Sequence, residues 1–188
     1  MILVVVLILL VALVPLGGGR LRRLSTLRLR SPWLLWLALG AQVLLIAFPG
    51  GETPWRIALN VASYPLGLAW VWLNRDVPGM WLVGLGAACN LTAILANGGV
   101  MPASARALET AGLSTHPDVF TNSAVLADPR LPFLGDVIPT PSWLPLANVV
   151  SVGDVLIVLG VAYGIHRVAG SRLAGRPRPP EGSAADAR

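Results

Sequence analysis

The sequence predicts an all-α fold: a polytopic transmembrane helix bundle of about five spans, N-terminus outside and C-terminus inside, with a folded, proline-rich extracytoplasmic segment. Three observations lead there. Of 188 residues, 55% are hydrophobic and 12% charged, with a mean hydropathy of +0.70, too apolar for a soluble domain of this size. Apolar stretches recur between Pro, Gly, Asn and Arg punctuation, and the arginines gather in alternate connections, as expected where charge sets orientation across a bilayer.

The first span, about 1–19, opens on the aliphatic run from Met1 to Leu16. A secretory signal carries its positive charge ahead of the apolar run, whereas Arg20, Arg22 and Arg23 follow Gly17-Gly18-Gly19 here, so a retained, reverse-oriented anchor is expected. At 1.5 Å per residue the run reaches about 24 Å against a hydrocarbon core of roughly 30 Å, so the helix is expected to continue through the glycines or to thin the bilayer. The second span, about 32–48, and the third, about 54–73, open on Ser31-Pro32 and Thr53-Pro54, each a capping hydroxyl before a first-turn proline. The fourth, about 79–97, lies between Pro78-Gly79 and Asn97-Gly98-Gly99, where glycine can take the left-handed conformation. The fifth runs over about 145–166, with His166-Arg167 at the inner boundary. Residues 1–166 form the membrane domain, and 167–188 form a cytoplasmic tail whose composition predicts disorder.

Orientation rests on the 14 basic residues, all of them arginine. Arg56, Arg106 and Arg130 fall on one side; Arg20, Arg22, Arg23, Arg28, Arg30, Arg75 and the tail arginines fall on the other, which is therefore the cytoplasmic side. Trp33, Trp36, Trp70, Trp72 and Trp81 fall near that boundary, Trp55 and Trp143 near the outer one. Leu21, Leu24 and Leu27 recur at helical spacing among the arginines, which suits either a topology anchor or an interfacial helix on anionic lipid. The basic residues flank apolar segments rather than a recognition element, so no nucleic-acid partner is expected. Cys89, the one cysteine, excludes an internal disulfide.

The connection 98–144 is too apolar for a linker and too rich in proline for a long helix. It reads as a folded cap on the outer mouth, with short helices over about Pro102 to Ala111 and Thr121 to Ala127. Within the spans, Asn60, Ser63, Gly67 and Asn74, then Gly86, Asn90, Ala93 and Asn97, follow helical spacing. Asn148, Ser151 and Asp154 step by three in the fifth span, beside a small-residue edge of Gly153, Gly160 and Gly164. Counted from the outer ends, Gln42, Asn60, Ser63, Asn90, Ser151 and Asp154 fall roughly 8–14 Å deep, in one polar layer.

Asp154 is the one acid expected well inside a span, where it must be paired, hydrated or protonated. Asn90 is the candidate neighbour, and Arg106 or Arg130 the candidate countercharge. The candidate ligand-binding set is Asp154, Ser151, Asn90, Asn60, Asn97 and Asp136, against the alternative that these groups only join helices by hydrogen bonds. His116, Asp118 and Asp128 suit turns better than a metal site. No catalytic, metal or cofactor motif is present.

At Asn97-Gly98-Gly99-Val100-Met101-Pro102, Phe133-Leu134-Gly135-Asp136 and Ser151-Val152-Gly153-Asp154, the chain resembles a bacterial membrane family, the domain of unknown function 5317, over most of its length except the tail. The resemblance implies a multi-pass plasma-membrane protein and brings no substrate, cofactor or catalytic residue. Three function classes follow. An accessory or scaffold subunit of a membrane complex, with membrane lipid and other subunits or a second copy as partners, suits the small-residue stripes. A transporter or small-ligand or lipid-binding protein would use the polar layer under the cap. An envelope-lipid enzyme has the least support.

Overall fold

The computed structural model describes residues 2–48, 53–113, 123–143 and 147–175. The chain is mostly helical: α1 is Ile2–Leu16, α2 Pro32–Ala47, α3 Pro54–Leu73, α4 Met80–Ala96, α5 Ala105–Thr110 and α6 Val152–Ala169. Helix α2 packs on α3, α3 on α4, α4 on α6, and α6 on α1. The tail residues 176–188, and His116 and Asp118, lie outside the described residues.

Helix α4 meets α6 along a seam of backbone against backbone. A methyl group on Gly86 would run into the carbonyl of Gly153, one on Gly160 would meet Gly79 and Val83 backbone atoms at 2.8 Å, and one on Gly164 would strike the Pro78 carbonyl. Gly79 also has φ +87°, so it is fixed as glycine by conformation and by space together. Small residues let two helix axes approach this closely, and the gain is dispersion contact and short polar reach across the seam.

Helix ends differ from the sequence expectation in instructive ways. Helix α1 stops at Leu16, and Gly18 turns the chain with φ +74°, so the helix does not run on through the glycines. Ser31 and Thr53 make no side-chain cap; Ser31 itself is left-handed at φ +46°. The capping is supplied from a distance. Asn74, at the end of α3, accepts from the Arg30 amide (2.8 Å), donates to the Arg30 carbonyl (3.0 Å) and donates to Trp70 in its own last turn. Asn97, at the end of α4, makes the same three bonds to Arg130 and Ala93. Both clasped arginines precede a left-handed residue and a proline that starts a helical turn, Ser31-Pro32 and Leu131-Pro132. Arg56, buried in the first turn of α3, donates to the Phe48 and Leu45 carbonyls and so satisfies the open C-terminus of α2.

The connection after α4 folds as a cap, but not as two short helices. Helix α5 is capped by Ser104 and followed by Gly112 at φ +70°. Ser123–Ala124, expected within a second helix, is instead strand β2, parallel to β1 (Met101–Pro102). Strands β3 (Asp136–Pro139) and β4 (Val149–Ser151) pair antiparallel, with Asp136 opposite Ser151. These strands modify the all-α expectation locally. Ala103, Ala107, Leu108, Ala111 and Val149 form a small apolar core of the cap's own.

Substituting Gly86 or Gly160 by Ala inserts a methyl between two backbones and is expected to destabilise by about 1–3 kcal/mol. Gly40 and Gly67 have no neighbour within 4 Å of a new methyl, so Ala there should be neutral or stabilising by up to about 1 kcal/mol. Thermal unfolding in detergent separates the two pairs; equal effects would remove the seam from its role.

Candidate functional site

Helix α6 begins at Val152, not near Pro145, and this relocates the candidate site. Asp154 is the third residue of the helix, not an acid deep in a span, and Asn148 is extended chain bonded to Thr140. The three-residue steps of Asn148, Ser151 and Asp154 come from a strand running into a helix through its cap. The Ser151 hydroxyl accepts from the Asp154 amide (2.9 Å), and the Asp154 carboxylate accepts from the Ser151 amide (3.1 Å), a reciprocal capping box.

Helix α4 closes this box into a ring. The Asn90 amide group donates to the other Asp154 carboxylate oxygen (2.8 Å), and Ser151 donates its hydroxyl proton to the Asn90 carbonyl oxygen (2.9 Å). Ser151 is 0% exposed. The Asn90 side chain lies directly over Gly153, where any side chain would displace it. The bonds to Asp154 thus come from Asn90 and Ser151 rather than from Arg106 or Arg130 among the described residues. A carboxylate in the first turn of a helix is also favoured by the helix dipole.

The other predicted residues separate into distinct places. Asn60 belongs to a second cluster between α2 and α3, where Gln42 donates to Asn60 (3.1 Å) and to Ser63 (2.6 Å), and Ser63 donates to the Asn60 carbonyl. The groups expected in one polar layer form two separate contacts, one between α2 and α3 and one between α4 and the start of α6. Asn97 clasps Arg130 at the C-terminal end of α4. Asp136 stands opposite Ser151 on β3, half-buried; Gly135 before it lies so close to Pro102 that a methyl would strike the Pro102 carbonyl. Burial pushes the Asp136 carboxyl up from 3.8 to about 7; the Asp154 charge adds to the rise and a hydrogen bond with Ser123 opposes it. Tyr64 of α3 lies within electrostatic reach of both carboxylates. Tyr64 and Ser123 were not among the predicted residues; Tyr64 carried no signal beyond being a phenol on an apolar helix. Asp128 is exposed, and no three metal-ligating side chains gather among the described residues.

Fold and site together define a mostly helical protein with polar side chains buried at its helix contacts and helix ends, and a capped end held over one closed polar ring. The chain belongs to a family of unknown function, DUF5317, whose model matches residues 26–166, from just before α2 through most of α6. An uncharacterized protein of Thermotoga maritima is 33% identical over 125 residues, covering 65% of this chain and 71% of that protein. No solved structure matches the chain.

The folded state holds the Asp136 proton up to about pH 7, whereas an unfolded chain releases it near 3.8. The folded state therefore binds more protons in that window, and stability falls as pH rises through it. The melting temperature should drop from pH 4 to 7 and level off above. Asp136→Asn should flatten that slope; an unchanged slope would assign it to another group.

Proposed function

We propose that the chain is a multi-pass protein of the bacterial plasma membrane and acts as an accessory or scaffold subunit of a membrane complex. The observation that carries this reading is an inverted polarity. Asn60, Ser63, Asn74, Asn90, Ser151, His166 and Arg56 are buried, while Val4, Ile8, Leu9, Trp33, Trp36, Val43, Trp72, Trp81 and Leu95 are exposed. Water would penalise that surface, and lipid would solvate it. Val152–Ala169 is long and apolar enough to cross a membrane; α1, α2 and α4 are shorter apolar helices, and α3, 20 residues long, buries its polar Arg56, Asn60 and Ser63. At 1.5 Å per residue these five helices reach roughly 22–30 Å. The arginine-rich connections gather at one end and the cap at the other, which favours an inner face at Arg20 to Arg30 and Arg75.

The scaffold role is favoured over a ligand site because the polar side chains bond to one another. Asn90, Ser151 and Asp154 form a closed ring, and Asn60 and Asn97 are likewise engaged. Such bonds join helices without chemistry of their own, each worth about 0.6 kcal/mol on average in a membrane. One observation favours a second reading, a small-ligand or lipid-binding or transport protein. Asp136 of the cap, its carboxyl pushed up by burial, lies within electrostatic reach of Asp154 and Tyr64 and could exchange a proton with a bound molecule.

Carbonate washing should leave the protein in the membrane. In a Cys89→Ser background, an impermeant maleimide applied to intact cells should label Ser142→Cys in the cap and not Ser25→Cys at the basic end; the reverse would invert the topology. Purification in mild detergent should then yield a stoichiometric membrane-protein partner. A lone protein with a small molecule bound beneath the cap would favour the second reading.

A further inference from the structure

The basic end of the bundle is a fixed surface, assembled from segments far apart in the chain. The Arg20 amide donates to the Ala169 carbonyl (2.9 Å), the Arg172 amide donates to the Gly17 carbonyl (2.9 Å), and Arg23 lies against Gly170. Beneath this junction, His166 is buried rather than interfacial. Its Nε2 donates to the Leu10 carbonyl (2.8 Å), leaving Nδ1 to face the Ser171 hydroxyl (2.9 Å). Ser171 is itself 1% exposed and packed over Gly17 and Gly19, where a methyl would displace it. The turn Leu21–Thr26 and the turn Arg172–Ala174 both pack against the end of α6.

On this surface Arg20, Arg22, Arg23, Arg28, Arg30, Arg75, Arg167 and Arg172 are all exposed, and Asp76 is the one acid beside them among the described residues. Leu16, Leu21, Leu29 and Leu173 are exposed among the arginines. Orientation alone needs the charges near the helix ends, in any geometry. It does not need them interlocked through a buried histidine and serine, nor interleaved with exposed leucines.

The geometry points to a docking surface for anionic phospholipid headgroups of the inner leaflet. The leucines enter the acyl boundary, and the arginines take phosphate oxygens from several lipids at once. This rests on the membrane reading above. Each juxtamembrane arginine adds about fivefold in affinity for an anionic surface, so removing three should cost on the order of a hundredfold.

The test uses the intact protein with Trp55→Phe and Trp143→Phe, leaving exposed Trp33, Trp36, Trp72 and Trp81 to report on this end. Brominated phosphatidylglycerol and brominated phosphatidylcholine are compared as quenchers in mixed micelles. Phosphatidylglycerol should quench at much lower mole fraction, and high salt should remove the preference in the unsubstituted surface. Arg20→Gln/Arg22→Gln/Arg172→Gln should weaken it by on the order of a hundredfold, the corresponding Lys variant should retain most of it, and Arg106→Gln/Arg130→Gln in the cap should leave it unchanged. Equal quenching by both lipids in the parent, or a preference undiminished in the triple Gln variant, overturns the proposal while leaving the membrane reading intact. Absence of quenching by either lipid overturns both.

Discussion

The close approach of α4 to α6 is the constraint on which the remaining arrangement depends. Gly86, Gly153 and Gly160 bring the two backbones together, and only at that separation can the short Asn90 side chain reach both ends of a capping box on the neighbouring helix. The box fixes where α6 begins, and therefore where β4 ends and β3 pairs. Asp136 is carried to its place opposite Ser151 by the same register. A larger residue in the seam would act on the cap as well as on the helix pair.

Polar groups in this protein serve the backbone and one another. Asn74 and Asn97 each close a helix end while clasping a distant arginine's main chain, Arg56 closes α2, and Ser151 and Asp154 close α6. In a medium without water, open helix ends and isolated carboxylates cost several kcal/mol each. The pattern therefore suits a chain surrounded by lipid.

Much of this was legible in the sequence, and the failures have definite causes. Proline before the apolar runs, and glycine or Asn74-Arg75-Asp76 after them, located α2, α3 and α4 closely, because those residues act through local backbone geometry. Asn90 does pair with Asp154, although the depth count that suggested it took the helix to begin near Pro145, whereas it begins at Val152. The start of α6 was misplaced because a step of three residues fits a helix face as well as Ser151-Val152-Gly153-Asp154, which is a capping box. Strands of two to four residues carry too little periodicity to be read, and Ser123–Ala124 was assigned to a helix for that reason. A signal that was present went unused: Arg30-Ser31-Pro32-Trp33-Leu34 and Arg130-Leu131-Pro132-Phe133-Leu134 share a pattern, and each begins a turn clasped by an asparagine. The segments 97–102, 133–136 and 151–154 each contain a glycine fixed by φ or by a neighbouring backbone or side chain; the first meets the second at Pro102 and Gly135, and the second meets the third at Asp136 and Ser151.

A double-mutant cycle between Asn90 and Asp154 tests the central claim most directly. Asn90→Ala, Asp154→Ala and the double variant would be compared with the parent by reversible unfolding in mild detergent. If the ring joins α4 to α6, the double variant should lose less stability than the two single variants together, with a coupling of about 0.5–2 kcal/mol. Strict additivity would mean that the two side chains act independently, and that the seam holds the bundle without them.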